Sequence, residues 1–126
     1  MIYYASRTGN VRSIIDRLAL PNQKIQVGVH VSEPFLLFTY TDGLGQVPAV
    51  VASFMEQHHK GCKGIIVSGN SNYGPHIFCS AGDKLNQLYN IPIVRKIDLR
   101  GFQEDRDAIE QYYKQVILDE NISKAQ

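Results

Sequence analysis

The sequence predicts an α/β fold in which a parallel sheet is covered by helices on both faces. Short apolar runs of strand length alternate five times with runs whose apolar residues recur at helical spacing. The run "PFLLFTY" is apolar throughout, which is the pattern of a strand buried on both faces. Segments rich in Gly, Ser, Thr and Asn follow three of the predicted strands. Because parallel crossovers are right-handed, few topologies fit this order of elements.

The first third of the chain is predicted to hold two strands and one helix. The first strand covers Ile2–Ala5 and ends at a polar turn. One helical face follows at the spacing i, i+3, i+4, i+7, formed by Val11, Ile14, Ile15 and Leu18. Pro21 and Asn22 end this helix, and a second strand, irregular at Gly28, is predicted over Lys24–Val31.

The middle third is predicted to hold two buried strands separated by a helix. The third strand covers Pro34–Tyr40, and the fourth, in "GCKGIIVSG", runs through Val67. Pro48 fits the first turn of the helix, where its missing N–H costs little, and Gly61 closes the helix. The apolar positions of this helix are Val47, Val50, Val51, Phe54 and Met55.

The last third is predicted to hold two helices and the fifth strand. Asn90 ends the first of these helices, and the strand covers Pro92–Leu99. The apolar positions of the two helices are Ala81, Leu85, Leu88 and Tyr89, and then Ile109, Tyr112, Tyr113, Val116 and Ile117. One domain over residues 1–118 and a frayed tail over residues 119–126 are expected.

Composition argues against several classes of function. The 126 residues carry a formal net charge of +1, which disfavours a strongly basic nucleic-acid binder. No apolar stretch approaches the ~20 residues that a membrane span needs. Cys62 and Cys79 fit neither a Cys-x-x-Cys pair nor a zinc ligand set, and no metal site is expected. With no signal peptide ahead of the first strand, a cytoplasmic protein with reduced thiols is expected.

Three polar loops are expected at one edge of the sheet, where ligands of such folds bind. They cover residues 6–11, 39–46 and 68–75. In the first, Asn10 is expected to cap the helix that starts at Val11, and the backbone amides with the hydroxyls of Ser6 and Thr8 fit one phosphate monoester. An ordinary capped helix start with incidental hydroxyls explains the same residues.

The second and third loops have the composition of a site for a flat ligand. Glycines let backbone amides approach the ligand, asparagines offer a donor and an acceptor, and Tyr40 or Tyr73 would stack on a ring. Two ordinary polar turns are the alternative for each loop taken singly. The presence of three such loops at one edge favours a binding site.

Several segments resemble known families. "SRTGNV" resembles the phosphate loop of flavodoxin-like proteins. "TYTDGLGQVP", "GIIVSGNSNYG", "FCSAGDK" and "YNIPIVRKIDLRG" are similar to the NrdI family, flavodoxin-like activators of class Ib ribonucleotide reductase, and the resemblance runs from Met1 to about Gly101. It implies a flavodoxin-like three-layer sandwich with a five-stranded parallel sheet in the order 2-1-3-4-5, and FMN as the cofactor.

The resemblance also implies which residues hold the cofactor. The FMN phosphate would be held by Ser6, Arg7, Thr8, Gly9, Asn10 and Val11. One side of the isoalloxazine ring would be lined by Thr39, Tyr40, Thr41, Gly43, Leu44 and Gly45. The other side would be lined by Gly69, Asn70, Asn72, Tyr73 and Gly74, with Phe78 and Cys79 beyond them. The Gly43–Leu44 peptide is the candidate for a backbone flip on flavin reduction, and no side chain is assigned as acid, base or nucleophile.

The function implied is the supply of an oxidant. Reduced FMN would react with molecular oxygen, and the superoxide or peroxide formed would reach the dimanganese site of the reductase's small subunit, where a tyrosyl radical is generated. An electron donor to FMN is then needed as well. A general flavodoxin electron carrier is the alternative, although the +1 charge disfavours it because flavodoxins are typically acidic. A flavin-free module that binds a phosphorylated ligand is a third hypothesis.

The chain departs from the family pattern at Ser71, where many members have Arg between the two asparagines of the third loop. A cation there would stabilise reduced, anionic flavin, and Asp42 adds a negative charge to the second loop. We therefore expect a less oxidising flavin than in Arg-bearing relatives. Cys62 is expected in the core, and Cys79 is considered, as a minor alternative, to be redox-active.

Overall fold

The computed structural model describes residues 1–119 and contains one five-stranded sheet. The strands and helices are β1 (Ile2–Tyr4), α1 (Asn10–Arg17), β2 (Asn22–Lys24), β3 (Phe35–Tyr40), α2 (Ala49–His58), β4 (Cys62–Gly69), α3 (Ser80–Tyr89), β5 (Ile93–Asp98) and α4 (Gln103–Tyr112). The strand order is β2-β1-β3-β4-β5 and every pair is parallel. The predicted fold class and strand order are therefore confirmed.

Both faces of the sheet are covered by helices, because successive side chains of a strand point to opposite faces. On one face, Ile2 and Phe38 pack in a cluster with residues of α1 and α4. On the other face, Tyr3 and Leu37 pack with residues of α2 and α3. The central strand β3 accordingly has all of its first five residues buried, which explains its unbroken apolar sequence.

The second strand is shorter and lies earlier in the chain than the sequence predicts. β2 covers Asn22–Lys24, whose side chains are all exposed, and not Lys24–Val31. The valines at alternate positions after Lys24 imitate a strand, but they belong to a loop. Val27 is fully exposed, while Val29 and Val31 pack against the cluster on the α2 side of the sheet.

Other boundaries differ because of local capping. Pro48 precedes α2 and does not lie in its first turn. α4 begins at Gln103, well before the first predicted apolar position, because the Asp105 carboxylate accepts the backbone N–H of Phe102 at 2.8 Å. Tyr113–Leu118 continues α4 as a π-helical turn. Asp119, assigned to the frayed tail, has helical angles, and residues 120–126 lie outside the described residues.

The two edge strands carry polar and charged side chains. β2 is one edge of the sheet and β5 is the other. On β5, Arg95 pairs with Asp105 at 2.8 Å and Lys96 pairs with Asp83 at 2.9 Å. Among the helices of residues 1–119, none has the length and apolar character required to cross a membrane.

Candidate ligand-binding cleft

A cleft of about 330 Å³ opens at the carboxyl edge of the sheet, where four loops meet. Small-molecule sites are concave pockets of roughly 300–1,000 Å³, so the cleft has a suitable size. Its lining residues are Arg7, Thr8, Asn10, Tyr40, Thr41, Gly43, Ser68, Gly69, Asn70, Tyr73, Ile77 and Leu99. The three polar loops singled out in the sequence thus converge on one cavity, joined by the segment after β5.

The turn between β1 and α1 presents free backbone donors at the start of a helix. Gly9 precedes the first helical residue with φ +92°, a left-handed conformation that glycine adopts without strain. Asn10 is the first residue of α1, so the prediction that it caps the helix is wrong. Within residues 1–119, the amides of Thr8, Gly9, Asn10 and Val11 donate to no protein acceptor. This end of the cleft therefore fits an anion.

The hydroxyl of Ser6 and the side chain of Val11 support this turn from outside the cleft. Ser6 Oγ accepts the backbone N–H of Arg12 at 3.3 Å, so it stabilises the first turn of α1. Val11 is buried in the core with 1% of its surface exposed, and its side chain packs in the hydrophobic cluster on that face of the sheet.

An ion pair connects the first loop with the second. Arg7 Nη1 lies 2.8 Å from Asp42 Oδ1, and the Arg7 guanidinium lies 5.9 Å from the centre of the Tyr40 ring. The same Asp42 oxygen accepts the backbone N–H of Gly43 at 3.0 Å. The negative charge expected at Asp42 is therefore paired with a cation inside the site.

The second loop is a closed turn between Asp42 and Gln46. The Gly45 and Gln46 amides donate to the Asp42 carbonyl at 3.0 and 2.7 Å. The Leu44 N–H donates to Gln46 Oε1 at 3.1 Å, which fixes the orientation of the Gly43–Leu44 peptide. The Leu44 side chain is 71% exposed. A flip of this peptide would break the bond to Gln46.

The third loop folds into a compact turn beside the cleft. Asn70 Oδ1 accepts the Asn72 amide at 3.0 Å, and the amides of Tyr73 and Gly74 donate to the carbonyls of Asn70 and Ser71 at 3.1 Å each. Asn70 and Tyr73 line the cleft on either side of Ser71. Tyr73 is 58% exposed, so its ring is available to a ligand.

The end of β5 binds this third loop. Asp98 accepts the backbone N–H of Ser71 at 3.0 Å and its hydroxyl at 2.6 Å. These two hydrogen bonds hold the pKa of Asp98 below its usual range. Leu99 follows with a left-handed backbone, φ +55°.

Cys79, assigned to the cofactor, lies in the core and not on the cleft. Its thiol is fully buried and donates to the carbonyls of Val67 at 3.4 Å and Ile97 at 3.7 Å. Burial raises its pKa to about 12. A Cβ on Gly69 would lie 2.9 Å from the Cys79 nitrogen, so the missing side chain at Gly69 is what lets the two segments approach. Cys62 is likewise in the core, with its pKa raised by burial to about 11.

The remaining assigned residues shape the loops without lining the cavity. Thr39 is buried and its hydroxyl donates to the Tyr40 carbonyl at 2.8 Å. The assigned residues outside the lining are Ser6, Gly9, Val11, Thr39, Leu44, Gly45, Asn72, Gly74, Phe78 and Cys79. Sequence reasoning did not assign three lining residues: Ser68, Ile77 and Leu99. Leu99 was detectable in principle, because the fifth strand ends at the same edge as the others.

The site contains no evident metal-binding group. Within residues 1–119, no three His, Cys, Asp or Glu residues are grouped so that they could hold a metal ion.

Comparison with known proteins relates this chain to a flavodoxin-like family. The family model described as "NrdI Flavodoxin like" matches residues 2–111. Among solved structures, a short-chain flavodoxin associated with a non-canonical PDU bacterial microcompartment superimposes with a TM-score of 0.67 at 19% identity. The alignment covers 90% of this chain and 92% of that chain. At this identity the structural likeness establishes the fold alone.

Proposed function

The chain belongs to the NrdI flavodoxin-like family, and on that premise we propose that it binds FMN and supplies an oxidant derived from molecular oxygen to a class Ib ribonucleotide reductase. The observation that carries the proposal is the cleft, which combines an anion site at one end with backbone and aromatic groups along its sides. The recipient would be the small, dimanganese subunit of the reductase, where the oxidant serves to generate a tyrosyl radical.

The residues of the cleft fit FMN. The four free amides at the start of α1 match a phosphate monoester, since a helix N-terminus stabilises negative charge. Arg7 and Thr8 line this end and add a cation and a hydroxyl. Tyr40 and Tyr73 lie on the two loops that would face the ring, and Gly43 and Gly69 line the cleft with backbone atoms alone.

The protein's part in the chemistry is positional. When bound, FMN supplies the electron transfer to molecular oxygen that yields superoxide or peroxide. The amides of the first turn hold the phosphate, and the Arg7–Asp42 pair connects that turn to the loop facing the ring. The Gly43–Leu44 peptide would present either its N–H or its carbonyl to the ring, and the hydrogen bond from Leu44 N–H to Gln46 supports a role for Gln46 in holding one of the two orientations.

Partners and location follow from the same proposal. The cycle needs an electron donor to FMN, molecular oxygen, and the small reductase subunit as recipient. A cytoplasmic location fits two cysteines that are both free thiols.

The test is reconstitution of the reductase radical. The purified protein is loaded with FMN, reduced without oxygen, and mixed with the small subunit carrying manganese(II) before oxygen is admitted. We expect a tyrosyl radical in the electron paramagnetic resonance spectrum, and no radical when the protein or oxygen is omitted.

Two outcomes would favour the competing functions. Equal electron delivery to unrelated acceptors without radical formation would indicate a general flavodoxin electron carrier. A protein that stays colourless and does not quench the fluorescence of added FMN would leave only a flavin-free module for a phosphorylated ligand.

A further inference from the structure

We propose that Asp98, at the end of β5, is a positioning residue that holds the third loop of the cleft in place, with Leu99 as an additional wall of the site. The inference rests on the proposed function in one respect, namely that the ligand of the cleft is FMN. Asp98 itself does not line the cleft, so it would act on the ligand only through the residues that it holds.

Asp98 accepts hydrogen bonds from two donors of the same residue, Ser71. One carboxylate oxygen accepts the Ser71 backbone N–H at 3.0 Å, and the other accepts the Ser71 hydroxyl at 2.6 Å. Hydrogen bonds to an ionised carboxylate are stronger than those between neutral groups. Ser71 is thus fixed through both its backbone and its side chain.

Ser71 belongs to a turn that is closed by its own hydrogen bonds. Its carbonyl accepts the Gly74 amide, and Asn70 accepts the amides of Asn72 and Tyr73. Because these bonds lie within the turn, they set its shape but not its place relative to the sheet. Asp98 attaches the turn to the end of β5, and the cleft-lining residues Asn70 and Tyr73 lie on either side of the attached Ser71.

Leu99, the residue after Asp98, also joins the end of β5 to the end of β4 through its backbone. The Leu99 N–H donates to the Gly69 carbonyl at 2.8 Å, and the Ser68 hydroxyl donates to the Leu99 carbonyl at 2.8 Å. Gly69 and Asp98 are also the last register pair of β4 and β5. Four hydrogen bonds therefore join the carboxyl ends of these two strands and the residues that follow them, and Leu99 lies in the wall of the cleft.

Three variants test the proposal: Asp98→Ala, Asp98→Asn and, as a matched control, Asp107→Ala. Asp107 is an exposed carboxylate of α4 that accepts a hydrogen bond from the Gln103 side chain at 2.8 Å, and its removal changes the net charge by the same amount as that of Asp98. The readouts are the dissociation constant of FMN from fluorescence quenching, that of inorganic phosphate from amide chemical shifts at the first turn, and hydrogen exchange of the Ser71 amide without ligand.

In Asp98→Ala we expect FMN affinity to fall about tenfold and Ser71 amide exchange to speed up by a similar factor. Phosphate affinity should stay within about twofold of wild type, because among the described residues no hydrogen bond or ion pair joins the first turn to Asp98. Asn offers one acceptor and one donor to Ser71, so Asp98→Asn should recover most of the lost FMN affinity. Asp107→Ala should match wild type in all three readouts.

Equal FMN affinity in wild type and Asp98→Ala would overturn the positioning role while leaving the proposed function intact. An equal loss of FMN and phosphate affinity would overturn it too, because that result indicates general loosening of the fold. Failure of the wild-type protein to bind FMN would refute the proposed function itself and, with it, this role of Asp98.

Discussion

At the scale of single residues, the site combines backbone amides that have no protein acceptor within residues 1–119 with carboxylates that are hydrogen-bonded or ion-paired. Within residues 1–119, the amides from Thr8 to Val11 donate to no protein acceptor, whereas the carboxylates of Asp42 and Asp98 both have partners within the loops. The two carboxylates beside the cleft therefore have their partners before any ligand binds.

We predict that Gly9→Ala weakens FMN binding while Gly28→Ala does not. Both glycines have left-handed backbones, φ +92° and +85°, and a Cβ at either position would meet no atom within 4 Å. Each substitution should thus cost a similar ~1–2 kcal/mol of folding free energy through backbone strain. Only Gly9 shapes the turn with the free amides. The measurements are urea unfolding and FMN fluorescence titration, and equal FMN affinities in the two variants would contradict the assignment of the phosphate site.

Ser71→Arg should raise the midpoint potential of the bound flavin. The substitution puts a cation into a loop that lines the cleft, where it favours the anionic reduced form. An exposed charge interaction of ~0.5–1 kcal/mol corresponds to roughly 10–20 mV for a two-electron couple. A redox titration with Ser71→Ala as the uncharged control measures the shift. An unchanged or lower potential would reject the idea that this chain holds a less oxidising flavin than its Arg-bearing relatives.

Neither cysteine should react with a thiol reagent in the folded protein. With a pKa of about 12, the thiolate fraction of Cys79 at pH 8 is on the order of 10⁻⁴, and the side chain is fully buried. Cys62, with a pKa of about 11, is 6% exposed. Reaction with an aromatic disulfide reagent should be at least about 100-fold slower than in urea. Fast labelling of Cys79 in the native state would reopen a redox role for it.

At the scale of elements, the short turn after β3 is closed by backbone hydrogen bonds, but its Gly43–Leu44 peptide is held by a side chain. Bonds between Asp42 and Gln46 close the turn at its base, while the peptide at its tip is held by a side chain alone. A side-chain bond can exchange without disturbing the base of the turn.

Gln46→Ala should release the Gly43–Leu44 peptide. Loss of the acceptor for the Leu44 N–H, worth ~1 kcal/mol, should speed hydrogen exchange at Leu44 roughly fivefold in the ligand-free protein. Exchange at the Gln46 amide, which donates to the Asp42 carbonyl, serves as the internal control and should stay unchanged. Unaltered exchange at Leu44 would mean that Gln46 does not hold the peptide.

Sequence patterns located the helices and strands that bury a regular set of apolar residues. They failed where local hydrogen bonds determine the position of an element. β3 and α1 have regular apolar spacing and lie close to their predicted positions. β2 was misplaced because the alternating valines of a loop repeat the strand period. The apolar spacing gave no start for α4, because the first turn of that helix is polar. Most of the cleft was foreseeable from polar loop composition. Leu99 was foreseeable only from the topology, which brings the end of β5 to the same edge, since an apolar residue after a strand carries no signal of a binding site by itself.

At the scale of the whole molecule, all ligand contacts proposed here come from segments at one edge of one sheet. The strands beneath them share two continuous hydrophobic clusters. Binding at this edge would therefore stabilise the whole cooperative unit.

FMN should accordingly raise the midpoint temperature of unfolding. A free FMN concentration of 100 times the dissociation constant stabilises a protein by about 2.7 kcal/mol, which for a chain of this size is roughly 10 °C. Differential scanning calorimetry with and without FMN measures the shift. Riboflavin, which lacks the phosphate, should give a smaller shift at the same free concentration. An equal effect of the two compounds would argue against the anion site at α1.

The polarity of the two sheet edges has a consequence for behaviour at high concentration. An open β-edge offers unpaired amides and carbonyls to any other strand, and apolar edges of this kind seed aggregates. Here β2 shows the sequence Asn-Gln-Lys, and β5 shows Arg95 and Lys96, each in an ion pair. The addition of a foreign strand to either edge would require the removal of water from these polar and charged side chains. The same edges that look least informative for binding thus protect the protein from self-association through its sheet.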